Sequence, residues 1–152
     1  RRMRRWIKAA AALALAASFS AELSAEPIPR LDGTWVVDGY TFRPISAMDA
    51  EGADAYLGRT QYFEKGFAEG PFFNCEFEGL SLSYKIRDVA EFMQDPDNIP
   101  YAEAGLSGGQ FLEHDIACEK NGDRLTMLTS ENAMEAFIGF DGVIFHLNYA
   151  EQ

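Results

Sequence analysis

The chain has 152 residues, 47% of them hydrophobic, with 13 basic against 24 acidic side chains and a formal charge of −11. That is one domain's worth of chain with enough apolar content to bury a core. The acidic balance disfavours nucleic acid and anionic membrane as partners and favours cations or cationic proteins.

Residues 1–25 read RRMRRWIKAAAALALAASFSAELSA. Arg1, Arg2, Arg4, Arg5 and Lys8 form a basic start, 9–17 an apolar middle, and Ser18, Ser20, Ser24 and Ala25 a small-residue zone. This is the layout of a secretory signal peptide, and its apolar middle falls short of the roughly 20 residues needed to cross a bilayer. Cleavage is expected near Ala25, or after Ser18 or Ser20 because Leu23 sits where a smaller residue is usual. The Arg4-Arg5 pair leaves general and twin-arginine export both open. The expectation is a periplasmic or secreted protein with no stable membrane anchor. Without 1–25, which hold five basic residues and Glu22, residues 26–152 carry 8 basic and 23 acidic side chains, a charge of −15.

The mature part is expected to be mainly β. The stretch 35–42 (WVVDGYTF) is rich in strand formers, with Gly39 as a bulge. Ser46, with Asp49 three residues on, predicts a capped helix that ends at Gly58. Strands are predicted over 60–64, 72–78 and 80–84, and a brief helix over 88–94 stops before Pro96. Asn121-Gly122 predicts a two-residue turn that sets Cys118 opposite Leu125, Ile116 opposite Met127 and His114 opposite Thr129. Asp141-Gly142 predicts a second hairpin with Phe140 opposite Val143, Ile138 opposite Phe145 and His146 opposite Phe137. Seven or eight short strands with few helices suggest a small antiparallel barrel or a sandwich. We expect a barrel with one or two short helices.

Cys75 and Cys118 are the two cysteines, and in an oxidising compartment they are expected to pair. They and two lone histidines form no ligand set, so no metal or cofactor is expected. Gly105-Leu106-Ser107-Gly108-Gly109 matches G-x-S-x-G, but a nucleophile elbow needs a strand before the serine and a helix after it; here a Pro-containing loop precedes and a strand follows. Asp95-Pro96-Asp97-Asn98 has the oxygen density of a calcium loop, yet Pro100 and Leu106 stand where an EF-hand needs Gly and Glu. His114 and His146 read as surface or cavity-wall histidines. No catalytic constellation is expected.

Gly33-Thr34-Trp35 resembles the G-x-W opening of lipocalins and other calycin barrels. The resemblance implies a tryptophan that closes one end of a barrel beneath a ligand cavity. Trp35, Phe42, Ile116, Met127, Ile138 and Phe145 are the expected lining, and a small apolar ligand the expected occupant. The same opening is similar to that of META-type envelope domains. Cys75-Glu76, the strand after it and Ser107-Gly108-Gly109-Gln110-Phe111 are similar to periplasmic inhibitors of c-type lysozyme, with Phe111 in place of that family's tyrosine. That resemblance implies a loop of Ser107, Gly108 and Phe111 that enters a cationic hydrolase. The expected function is therefore a monomeric, non-enzymatic binding or envelope accessory protein, with a hydrolase inhibitor as the alternative.

Overall fold

A computed structural model describes residues 31–76 and 78–150. The leader 1–25, and Phe77 of the expected strand 72–78, lie outside the described residues. Eight strands run β1 Gly33–Phe42, β2 Thr60–Glu64, β3 Phe67–Glu69, β4 Leu80–Asp88, β5 Gln110–Cys118, β6 Arg124–Ser130, β7 Glu135–Phe140 and β8 Val143–Ala150. They form one antiparallel sheet in the order β3-β2-β1-β8-β7-β6-β5-β4, curled into a nearly closed barrel. Three short helices interrupt it, one more than the upper expectation: α1 Ala50–Asp54, α2 Val89–Phe92 and α3 Ile99–Glu103.

The alternation in the sequence sets the inner face. Trp35 and Val37 of β1, Ile116 of β5, Met127 of β6, Ile138 of β7 and Phe145 and Leu147 of β8 all point inward and pack in one buried cluster. Burial of such side chains contributes about 1.5–3 kcal/mol each. Rings close the barrel at the end where β1 finishes. Tyr56 stacks on Phe72 at 5.4 Å, and Phe145 lies 4.9 Å from Tyr56 and 5.1 Å from Phe72. Ala53 of α1 is buried against the same cluster. A second cluster forms on the outer face, where Phe92 and Leu106 cover Phe111, Leu128, Phe137 and Ile144.

The β7–β8 hairpin has the expected register, including Phe137 opposite His146. Asp141 at φ 50° and Gly142 at φ 80° supply the two left-handed residues its turn requires. The β5–β6 hairpin differs by two residues: Ile116 opposes Leu125 and His114 opposes Met127. The cause is Asn121, whose side-chain oxygen accepts the Asp123 N–H at 2.9 Å, so the connection is longer than a two-residue turn. An even shift preserves the faces, and Ile116, Cys118, Leu125 and Met127 remain buried together.

Two further expectations are corrected. Asp49, not Ser46, caps α1, its carboxylate accepting the Gly52 N–H at 2.8 Å. Ser46 instead accepts the Met48 N–H at 3.1 Å in a local turn before the helix. The strand lies at β3, while the segment expected to be a strand from Phe72 makes only an isolated bridge, Cys75 to Ala68. The buried Gln61 side chain replaces the ladder there. It accepts the N–H groups of Phe72 and Phe73 at 3.2 and 3.1 Å and donates to the Phe73 carbonyl at 2.8 Å.

Candidate functional site

The barrel's seam lies between β3 and β4, the two ends of the strand order. Cys75 is bonded to Cys118 across it. Cys75 bridges to Ala68 of β3, and Cys118 pairs with Leu80 of β4, so the disulfide joins the two rims. Asn121 adds a hydrogen bond to the Asn74 carbonyl at 3.0 Å on the same side.

Below that staple the seam is open. Leu82, Tyr84 and Ile86 of β4 lie directly opposite Ile116, His114 and Leu112 of β5, which fixes them on the inward face. They are nevertheless 48%, 40% and 51% exposed, whereas Trp35, Val37, Ala136, Ile138, Val143, Phe145 and Leu147 on the inward faces of β1, β7 and β8 are buried. The result is an exposed apolar row on the inward face of β4, set over the buried pair His114 and Thr129. His114 Nε2 is 2.8 Å from Thr129 Oγ1, and the Tyr84 ring stands 6.1 Å from the imidazole. Burial, which disfavours the charged ring, lowers the His114 pKa to about 4, so the imidazole is neutral at neutral pH.

The expected cavity lining is corrected. Trp35, Met127, Ile138 and Phe145 have no accessible surface and Ile116 has 1%. A side chain beside a water-sized space would retain some, so these residues are packed core. Trp35 donates its indole N–H to the Leu31 carbonyl at 3.0 Å and meets Tyr149 edge-on at 5.2 Å. Phe42 is opposite Val143 at the end of β1 and is 37% exposed, on a groove with Ile45 and Ile99.

The loop expected to enter a hydrolase is divided. Ser107 and Gly108 are exposed, but Phe111 is fully buried under Phe92 at 4.9 Å. Phe111 is on the outer face of β5, and α2 covers that face. Ser107 precedes a strand rather than a helix, so the geometry of a nucleophile elbow is absent from it. Asp95 caps the 3₁₀ turn Pro96–Asn98 through the Asp97 N–H at 3.0 Å, a local use for that acidic loop.

One polar network had no counterpart in the sequence reading. A bulge between Val37 and Gly39 turns Asp38 outward, where its carboxylate meets His146 Nδ1 and the Asn148 side-chain amide. His146 Nε2 is 3.0 Å from Glu135, so both ring nitrogens are engaged and three strands are tied together. This histidine braces β1, β7 and β8. Among the described residues, no group of three or more His, Cys, Asp or Glu side chains is arranged to hold a metal ion.

No protein-family model matches the chain, and neither a curated protein nor a solved structure matches it.

Proposed function

We propose that this chain is an exported, non-catalytic binding barrel that holds a small apolar ligand in the trough beneath β4. The observation that carries the reading is the half-exposed inward row Leu82, Tyr84 and Ile86, set beside the buried Trp35, Ile116, Met127 and Ile138. Apolar walls with a few convergent polar groups are the usual make-up of a small-molecule site. Apart from Asp88, which ends β4 and caps α2 through the Ala90 N–H, the inward residues of β4, β5 and β6 include no Asp, Glu, Lys or Arg, and His114 is neutral. This favours an uncharged ligand with one hydroxyl or carbonyl for the exposed Tyr84 side chain. Export is supported by the layout of residues 1–25 and by a disulfide that suits an oxidising compartment.

Native mass spectrometry of the full chain expressed with export to the periplasm tests the reading. The expected spectrum has a co-purified neutral lipid on the wild type that Ile86→Ser and Leu82→Ser lose. The neutral probe N-phenyl-1-naphthylamine should bind the wild type and bind the variants at least fivefold more weakly. A wild type that carries no adduct and does not bind the probe would overturn the assignment.

A further inference from the structure

A second apolar surface lies away from the trough, where β1 ends. There the segment 42–45 and the segment 96–103 enclose a groove of about 530 Å³. Phe42, Ile45 and Ile99 line it at 37%, 88% and 47% exposure, and Pro44, Pro96 and Pro100 complete the walls. Large apolar side chains exposed together mark a contact surface more often than scattered ones do. Three prolines hold the walls with little conformational freedom to lose on binding.

The groove's charges point to the partner. Arg43 is already committed: its Nη1 donates to the Asp97 carbonyl at 2.7 Å and its guanidinium lies 5.2 Å from the Tyr101 ring centre. That bond also ties one wall to the other. Asp97 and Glu103 line the same groove, and neither carboxylate has a hydrogen-bond or ion-pair partner among the described residues. Two free carboxylates, one engaged cation and a chain of charge −11 make the site attractive to positive charge.

We propose that this groove docks an extended segment of a cationic partner protein. An apolar side chain of that segment sits between Ile45 and Ile99, and a neighbouring lysine or arginine faces Asp97 and Glu103. The apolar contact supplies residence and the carboxylates supply orientation and encounter rate. The site shares no residue with the trough, so either one can fail without the other.

The test is isothermal titration of the full chain with a blocked Lys-Leu-Lys-Leu-Lys peptide at 50 and 150 mM salt. Binding is expected, and it should weaken at least fivefold for Ile99→Ser, for the pair Asp97→Asn with Glu103→Gln, and for a peptide with Ser in place of Leu. Glu131→Gln, in the turn between β6 and β7, should change affinity less than twofold. A peptide with Glu in place of Lys should not bind. Absence of binding would overturn the proposal, and so would equal weakening by Glu131→Gln or indifference to Ile99→Ser, since both would mean attraction to bulk charge alone.

Discussion

Cys75 and Cys118 are 43 residues apart in sequence, and their bond connects the β3 rim of the barrel to the β4 rim. Strand pairing holds every other neighbour in the sheet through backbone hydrogen bonds. At this seam the covalent bond and the Asn121–Asn74 contact substitute for a ladder.

Loss of the disulfide should therefore be felt as both a stability change and an opening. The chain-entropy estimate for a loop of this length is about 4 kcal/mol. Cys75→Ser with Cys118→Ser should lower the urea midpoint accordingly. Amide exchange should accelerate first in β3 and β4, not in the β7–β8 hairpin. Uniform acceleration across all strands would contradict a seam held by this bond.

Gln61 is the buried polar residue on which the segment after β3 depends. Gln61→Leu keeps the bulk but leaves two N–H groups and one carbonyl without the partner they now have. Each buried group so stranded costs about 1–3 kcal/mol. The variant should lose several kcal/mol in denaturant unfolding. A loss under about 1 kcal/mol would show that water or a backbone shift satisfies the segment.

His114 predicts a pH dependence whose sign follows from linkage. Its folded pKa is lowered to about 4 from 6.5, so between these values the unfolded chain binds a proton that the folded chain does not. Stability from this residue is fully present above pH 6.5 and is lost as pH falls toward 4, by roughly 3 kcal/mol. His114→Asn, which can still bond Thr129, should flatten that part of the curve. Urea midpoints at pH 7, 5.5 and 4.5 for both proteins measure the difference, and parallel curves would remove His114 as the cause.

How far the residues themselves announced this structure can be judged element by element. The β7–β8 hairpin was legible because Asp141-Gly142 is a strong local signal and the flanking alternation agrees with it. β2 has the expected bounds, Thr60–Glu64. The β5–β6 register was misread because the Asn121 side chain, not the Asn-Gly backbone preference, decides the turn. The segment after β3 reads as a strand by composition, yet a side chain eleven or twelve residues earlier takes over its backbone bonds. No local pattern could reveal that.

The candidate site was legible only as a set of inward faces. A strand was expected over 80–84, and Trp35, Met127, Ile138 and Phe145 were expected to line a cavity, where the structure packs them in the core. Which interior positions are filled and which stand open depends on where the sheet fails to close. That depends on strand order, on the covering of Phe111 by α2 and on the position of a 43-residue loop bond.

The sequence alone determined that this is an acidic, mainly β chain whose two cysteines suit an oxidising compartment, because period-two alternation, turn residues and net charge are local or additive properties. Only the tertiary structure decided that the barrel is packed at Trp35 and open along Leu82, Tyr84 and Ile86, and that Phe42, Ile45 and Ile99 meet in one groove. Burial is a property of what the chain brings near, and those neighbours are distant in sequence.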